Sequence, residues 1–213
     1  MNRLTAIDVQ RILRTYRYTA AIEYGERVCA YIDLLLRWNR KVALTTITDP
    51  QEAVRFHFGE SLFGMETAGM QNGRLADVGS GAGFPGAPIA MARPELNTML
   101  IESNGKKAAF LEELKRELRL GNVEVHHGRA EDVACQGEFD FVAARALGAY
   151  EKWLEWAAKR LKVGGHVVLW VNSEGHECVA RLSGWKWAQR ERIPNTKGRF
   201  IAIGERSGLN VEF

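Results

Sequence analysis

A glycine loop between Leu75 and Gly86 is the segment whose residue types and spacing are best suited to chemistry. It reads Leu-Ala-Asp-Val-Gly-Ser-Gly-Ala-Gly-Phe-Pro-Gly, with Asp77 at the end of a short apolar run. Glycine suits a tight strand-to-helix turn because it accepts positive φ angles and lets a ligand approach the backbone without a Cβ in the way. The loop predicts a nucleotide-like ligand at the end of a strand.

Two glycine spacings overlap in this loop. Gly81, Gly83 and Gly86 have the GxGxxG spacing of dinucleotide-binding proteins, whereas Gly79, Gly81 and Gly83 after Asp77 have the acidic-x-GxGxG spacing of methyltransferases. A pyrophosphate is anionic and favours bare N–H groups at a helix N-terminus, while S-adenosylmethionine carries an ammonium and a sulfonium. The Asp77 carboxylate favours the cationic ligand, and a nicotinamide dehydrogenase is the alternative. The loop residues that we expect to contact the cofactor are Asp77, Gly79, Ser80, Gly81 and Gly83.

Further polar residues follow the other predicted strands. Glu102 ends the second strand, where an acid can accept hydrogen bonds from both ribose hydroxyls. Arg129 follows the third strand, and Arg145 ends the fourth. An arginine directly after an apolar strand must be paired or bind something. Because ligands of open parallel sheets lie outside the carboxyl ends of the strands, we expect all these residues on one rim.

Short apolar runs alternate with stretches of helical period after Gly73, which predicts a parallel sheet with crossover helices. The helix after the second strand carries Phe110, Leu111 and Leu114 on its inner side, and Gly121 is predicted to stop it. The last two strands are expected to form a hairpin-like return. The predicted strands are residues 74–78, 98–102, 123–127, 139–144, 166–171, 185–192 and 199–205.

The first 70 residues are predicted to be helical. One amphipathic helix covers about residues 26–40, and another begins at Asp49, where an N-cap side chain precedes Pro50 and Glu52 follows. The boundary near residue 70 is a change of pattern rather than a linker. We therefore expect a helical subdomain, 1–70, packed on a sheet domain, 71–213.

Composition places the chain of 213 residues among ordinary globular proteins, with 46% hydrophobic and 26% charged residues. No apolar run approaches the roughly 20 residues that span a bilayer, and the start lacks a signal-peptide pattern, so we expect a cytoplasmic protein without membrane contact. The net charge of +3 permits a nucleic-acid partner only where basic residues cluster. Three scattered cysteines and five histidines without metal-ligand spacing predict neither a disulfide framework nor a metal site.

With these segments in order, the chain resembles the bacterial small-subunit ribosomal RNA guanine-N7 methyltransferases, the glucose-inhibited division protein B family. The similarity covers about residues 30–170, and Gly-Phe-Pro-Gly followed by Gly-Lys-Lys is more specific than any GxGxG. The segments that carry it are Asp77-Val-Gly-Ser-Gly-Ala-Gly-Phe-Pro-Gly86, Glu102-Ser-Asn-Gly-Lys-Lys107, Ala109-Phe-Leu111, Asn122-Val123, Arg129-Ala-Glu131 and Ala144-Arg-Ala146, with Trp38-Asn39, Leu44-Thr45, Ile47-Thr-Asp-Pro50, His57-Phe58 and Ser61-Leu62 in the helical part.

The resemblance implies a class I S-adenosylmethionine methyltransferase of the α/β class. Its Rossmann-like sheet would be mostly parallel and seven-stranded, with an antiparallel last strand and an N-terminal helical extension. Glu102 would bind the ribose. The other positions implied for the cofactor are Gly79, Phe84, Ala130, Glu131 and Arg145, and those implied for ribosomal RNA or the small subunit are Lys106, Lys107, Arg129, Arg145 and His57.

The chain departs from the family pattern mainly around the expected RNA surface. Ala43 replaces an asparagine, Glu60 an aspartate and Phe56 an arginine. Trp170-Val171-Asn172 stands where a lysine and a glycine are expected, and the C-terminus lacks a basic ending. These changes leave the cofactor residues intact.

The N7 of guanine has a lone pair and no proton, so its methylation needs no general base. Orienting the reactants can supply about 7 to 11 kcal/mol of barrier reduction. We expect Arg145 and Arg129 to position the substrate and the two lysines to contact phosphates, in a monomer. The alternatives are a methyltransferase acting on a small molecule or protein, and a non-catalytic RNA-binding module of ribosome assembly.

Overall fold

One eight-stranded sheet carries the fold in a computed structural model that describes residues 3–133, 138–145 and 150–206. The strand order is β3-β2-β1-β4-β5-β8-β6, with β7 also paired to β8. The strands are β1 Gly73–Val78, β2 Leu96–Glu102, β3 Val123–His127, β4 Phe139–Arg145, β5 Leu161–Asn172, β6 Trp185–Trp187, β7 Glu191–Arg192 and β8 Arg199–Arg206.

Strands β1 to β5 are parallel, and β8 is antiparallel to both β5 and β6. The predicted parallel sheet with an antiparallel last strand is confirmed. The predicted strand 185–192 is wrong as one strand, because it is split into β6 and β7. Trp187 pairs with Gly204 and Glu191 pairs with Ile201. An advance of four residues along the first segment therefore matches an advance of three residues along β8. The extra residue forms a β-bulge that divides the predicted strand in two. The sheet therefore has eight strands where seven were expected.

Strand β5 begins before its predicted start at His166. Leu161 pairs with Phe139 and His166 with Phe141, so the register shifts between them. Gly164 within this stretch has a φ of 77°, a backbone conformation that glycine favours. The two glycines at 164 and 165 therefore form an irregularity inside the strand rather than a turn before it.

The helices lie between the strands and at the N-terminus. They are α1 Ala6–Arg14, α2 Ile22–Asn39, α3 Pro50–Ala53, α4 Glu60–Thr67, α5 Gly86–Ala92, α6 Gly105–Glu117, α7 Tyr150–Arg160 and α8 Ser173–Ala180. A π-helical segment, Val54–Gly59, joins α3 to α4. The predicted start at Asp49 is confirmed, since its carboxylate accepts a hydrogen bond from the Glu52 N–H at 2.8 Å. Within the described ranges, no helix is long and apolar enough to cross a membrane.

The predicted stop of α6 at Gly121 is wrong. The helix ends at Glu117, and Arg119 takes the left-handed conformation with a φ of 51°. The Leu120 N–H then donates to the Lys115 carbonyl at 2.9 Å, the hydrogen bond of a Schellman motif. Leu120 is buried, so the packing of its side chain favours this turn although no glycine is present.

The N-terminal helices pack on one face of the sheet and share its hydrophobic core with α5 and α6. Two buried tyrosines of α2 reach the segment after β1. The Tyr31 hydroxyl donates to the Ala82 carbonyl at 2.6 Å, and the Tyr24 hydroxyl donates to the Pro88 carbonyl at 3.1 Å. The helical residues therefore support the glycine loop directly.

Candidate functional site

The carboxylate of Asp77 is fully buried at the end of β1. Its Oδ2 accepts a hydrogen bond from the Gly86 N–H at 2.9 Å, while Oδ1 has no hydrogen-bond partner among the described residues. Burial is the main cause that raises the pKa of Asp77 to about 7, because the charged form loses its water. A buried carboxylate oxygen without a partner fits a positively charged ligand.

The glycine loop is fastened to the end of β2. The N–H groups of Gly79 and Ser80 both donate to the Ile101 carbonyl, at 2.9 and 3.0 Å. The Ser80 hydroxyl donates to the Asp77 carbonyl at 2.9 Å. The N–H groups of Gly79 and Ser80 are therefore used within the protein, where they fix the conformation of the turn.

Two of the glycines are required for different reasons. Gly81 has a φ of 58°, and a Cβ there would meet only the Gly79 carbonyl oxygen, at 3.9 Å. A Cβ on Gly83 would collide with the Tyr31 hydroxyl. Open space beside Gly81 is where a ligand can approach the backbone, whereas Gly83 makes room for a tyrosine of the helical part.

Glu102 braces the loop from the neighbouring strand. Its Oε2 accepts from the Gly81 N–H and its Oε1 from the Asn104 N–H, both at 2.8 Å. Each carboxylate oxygen keeps a second lone pair, so Glu102 can still accept hydrogen bonds from ribose hydroxyls. The predicted nucleoside-binding acid therefore lies beside the open space at Gly81.

Phe84 is stacked between two rings of the helical part. Its centroid lies 5.2 Å from that of Tyr31 and 4.4 Å from that of His57, with interplanar angles of 8° and 15°. Phe84 is buried, so most of its surface packs against protein. Of the other positions implied for the cofactor, Ala130 is buried and Glu131 exposed in a short 3-10 turn after β3. Ala146, the last residue of a segment that carries the family resemblance, lies outside the described residues.

His57 is buried and stacked against Phe84. Its Nε2 lies 2.9 Å from the Thr45 hydroxyl, and its Nδ1 has no partner within the described ranges. Burial first, and then the charges of Arg145 and Arg199, lower the pKa of His57 to about 3. The ring is therefore neutral near pH 7 and gives an RNA phosphate no positive charge.

Arg145 at the end of β4 belongs to a buried ion cluster that the sequence analysis missed. Glu60 of α4 is fully buried, and its Oε2 lies 3.4 Å from the Nη2 of Arg145 and 2.7 Å from the Nη2 of Arg199. Burial raises the pKa of Glu60 and the two arginines oppose that rise. Arg145 Nη1 is buried and has no hydrogen-bond partner in the described part of the chain, which makes it a candidate donor to a ligand.

A signal for this cluster is present in the sequence. Glu60 stands in an otherwise apolar stretch, and Arg145 follows an apolar strand. Opposite charges at two buried positions need each other, but the sequence does not indicate which residues pair across the fold.

Trp170, a departure from the family pattern, supports the same cluster. Its Nε1 donates to the Glu60 carbonyl at 2.8 Å. A Cβ on Gly64 would collide with the Trp170 ring. The indole therefore occupies space that is available only because Gly64 has no side chain.

The predicted phosphate contacts Lys106 and Lys107 lie on the other side of the glycine loop, in the first turn of α6. Both N–H groups donate to the Asn104 side chain, at 3.0 and 3.2 Å. Neither lysine forms an ion pair with the residues that the structure describes, and Lys106 is exposed. Arg129, after β3, is also exposed. The rim thus joins buried acids to cations that face solvent.

Comparison with known proteins identifies the family of this chain. The family described as "GidB: rRNA small subunit methyltransferase G" matches residues 25–186. Ribosomal RNA small subunit methyltransferase G of Xanthomonas axonopodis pv. citri is 38% identical over 181 residues, 84% of each chain. The protein of the same name from Stenotrophomonas maltophilia K279a is 41% identical over 157 residues, 73% of each chain.

Solved structures share the fold at low identity. A SAM-dependent methyltransferase from Aquifex aeolicus is 19% identical with a TM-score of 0.61, covering 73% of this chain and 93% of that one. M. jannaschii TYW2 in complex with AdoMet is 21% identical with a TM-score of 0.54, covering 68% and 74%. The predicted class I methyltransferase fold is confirmed, and the dehydrogenase alternative is not supported. The chain belongs to the rRNA small subunit methyltransferase G family.

Proposed function

We propose that this protein transfers a methyl group from S-adenosylmethionine to N7 of a guanine in small-subunit ribosomal RNA. Family membership supports the methyl transfer, the cofactor and the ribosomal RNA substrate. The observation in the structure that carries the proposal is that Asp77 Oδ1 and Arg145 Nη1, at the ends of neighbouring strands, both lack a hydrogen-bond partner among the residues that the structure describes. The first suits a cation and the second suits an acceptor on an anionic or carbonyl group.

The cofactor would be held by the acids and glycines at the ends of β1 and β2. Asp77 would compensate a positive charge, Glu102 would accept from ribose hydroxyls, and Gly81 leaves the approach open. S-adenosylmethionine supplies an electrophilic methyl group on a sulfonium when it is bound. Phe84 would keep the loop in place through its stacking with Tyr31 and His57, and Ala130 and Glu131 would lie at the adenine side.

The substrate base would be positioned rather than deprotonated, because N7 of guanine has a lone pair and no proton. Arg145 Nη1 would donate to the guanine O6 or to a phosphate, and Glu60 holds the same guanidinium through Nη2. Lys106, Lys107 and Arg129 would contact phosphates on the β2 and β3 side. Neutral His57 has no proton-transfer role in this scheme.

We also propose that the enzyme acts as a monomer in the cytoplasm. Both sheet faces are covered within the chain by buried residues of its own helices, which supports the monomer. The cytoplasmic location is supported by the proposed substrate, ribosomal RNA.

Calorimetry with S-adenosylmethionine followed by methyl transfer to ribosomal RNA tests the proposal. We expect saturable cofactor binding and labelled methyl on small-subunit RNA that lacks N7-methylguanosine, but not on RNA that already carries it. Methyl on a different atom of the base would overturn the N7 assignment. RNA binding without turnover would favour the non-catalytic assembly module, and methyl transfer only to proteins or small molecules would favour that alternative.

A further inference from the structure

A second group of cations lies across the rim from Lys106 and Lys107. It surrounds the connection between β7 and β8 and the end of α1. We call it the hairpin surface, and its residues are Arg14, Arg17, Arg190, Arg192 and Lys197, all exposed. In the strand order the two lysines lie on the β2 side of β1 and β4, and the hairpin lies on the β5 and β8 side. The reaction site is therefore flanked by cations on both sides.

The hairpin projects from the same rim as the site. Its second strand begins at Arg199, which pairs with Asn172 at the carboxyl end of β5. Arg199 also reaches the Glu60 carboxylate that holds Arg145. A chain of two ion pairs thus separates the base of the hairpin from the residue proposed to position the substrate.

The hairpin is held in one place by specific contacts. The Asn195 side chain donates to the Thr15 hydroxyl at 3.1 Å, and Ile193 is buried in the core. The buried Thr196 hydroxyl donates to the Ile193 carbonyl at 2.8 Å. The cations are therefore presented on an ordered support against α1.

The local positive charge is high, and only part of it is neutralised, mainly at Arg199 by Glu60. Residues 190–199 hold four cations and one carboxylate, an excess equal to the +3 of the whole chain. That carboxylate, Glu191, lies 3.6 Å from Arg17, which follows α1. Lys197 and Arg14 form no ion pair within the described ranges. Cations that gain nothing from protein partners are suited to phosphates, which dominate the affinity of proteins for nucleic acids.

We propose that the hairpin surface is a second phosphate-binding surface for the ribosomal RNA substrate. The inference rests on the proposed function, and it adds where the RNA lies: across the rim, contacting Lys106, Lys107 and Arg129 on one side and the hairpin on the other. The target base would enter between the two surfaces. Contact on both sides would fix the direction of the strand as well as its distance from Arg145.

The test compares two double variants that remove the same charge. Arg192→Gln with Lys197→Gln alters the hairpin surface. Lys115→Gln with Arg116→Gln alters the last turn of α6, which lies at the opposite edge of the sheet because a crossover helix runs back along its strand. The probe is a small-subunit ribosomal RNA fragment that the wild-type protein methylates, titrated at several salt concentrations.

We expect the hairpin variant to bind this RNA at least several-fold more weakly and to lower the slope of log K against log salt by about 1.4, or roughly 0.7 for each lost phosphate contact to a single strand. Its affinity for S-adenosylmethionine should equal that of the wild type, and the α6 variant should keep the wild-type slope. Lys197→Gln alone removes no hydrogen bond or ion pair with the described residues, so it should not impair folding, and it should lower the slope by about half as much.

An unchanged slope in both hairpin variants would overturn the proposal. An equal decrease in the α6 variant would also overturn it, because the effect would then be one of total charge. Binding to anionic lipid vesicles that depends on the hairpin, with RNA binding intact, would assign the surface to a membrane instead. Failure of the wild type to methylate any ribosomal RNA would be a failure of the proposed function and is seen before the variants are compared.

Discussion

The two walls of the proposed reaction site are built in different ways. The cofactor wall consists of the carboxyl ends of β1 and β2 with the glycine loop after β1. Its hydrogen bonds run mainly from backbone N–H groups to carbonyls and carboxylates. The arginine wall joins Glu60, Arg145 and Arg199 from a helix, a parallel strand and an antiparallel strand through ion pairs. The first wall is local and the second depends on how the helical part docks on the sheet.

The two walls should therefore respond differently to substitutions elsewhere in the chain. Hydrogen bonds from the backbone are set by the β1 and β2 pairing, so the cofactor wall should tolerate changes elsewhere in the chain. The arginine wall should respond to any change that shifts α4 against β4. The following predictions test this contrast.

The largest expected effect is on the arginine wall. Replacing Arg145 by Ala should reduce methyl transfer to ribosomal RNA by about 100-fold to 1000-fold, as for the loss of one pre-oriented donor in a water-excluded site. Single-turnover assays at saturating cofactor measure it. Near-native transfer with ordinary cofactor affinity would show that Arg145 does not position the substrate.

The next effect is on stability. Glu60→Gln leaves two arginines without their buried counter-charge and should lower the free energy of unfolding by about 3 to 5 kcal/mol. Glu60→Asp keeps the charge and should restore part of the loss. The matched control is Glu138→Gln, which breaks the partly exposed pair with Arg74 and should cost less than about 1 kcal/mol. If urea unfolding showed the same loss of unfolding free energy for Glu60→Gln and Glu138→Gln, the buried Glu60 would contribute no more than a partly exposed ion pair.

A smaller effect concerns the cofactor wall and pH. With its pKa near 7, Asp77 is mostly protonated at pH 6, and the ionised form that suits a cation grows as the pH rises. Cofactor affinity should therefore increase about fivefold from pH 6 to pH 7 and level off above, because one proton must leave. Calorimetry in buffers of different ionisation enthalpy should show proton release below pH 7. Asp77→Asn should bind more weakly without this pH dependence, and an unchanged profile would exclude Asp77 as the titrating group.

The smallest effect is on the solvent-facing cations of the cofactor side. Replacing Lys106 and Lys107 by Gln should weaken RNA binding several-fold and reduce its salt slope by roughly 0.7 for each phosphate contact. Cofactor affinity measured in the same buffers should not change. A wild-type slope in this variant would place the RNA elsewhere.

Much of the cofactor wall could be predicted from the sequence because its signals are local. Glycines that need positive φ and an acid at the end of each of two apolar runs act within a few residues. The bounds of β3 match the prediction, as does the start at Asp49. The parallel order follows from the alternation of strands and helices.

The arginine wall could not be predicted in the same way. Its ion pairs join residues that are close only after the helical part packs on the sheet, and no pattern along the chain indicates that Glu60 faces two arginines. The burial and neutrality of His57 have the same origin. Two local predictions, the stop of α6 at Gly121 and the single strand 185–192, are wrong for another reason. The left-handed conformation of Arg119 and the bulge between β6 and β7 arise where tertiary packing outweighs residue preference.

The fit of Trp170 against Gly64 also constrains the order in which this sequence could have changed. A side chain at position 64 collides with the indole, so the tryptophan could be accepted only while glycine was already there. Replacing Trp170 by a smaller side chain would leave a cavity and remove the hydrogen bond to the Glu60 carbonyl. Positions 64 and 170 are therefore coupled, because a side chain added at the first creates a clash and a smaller residue at the second creates a cavity.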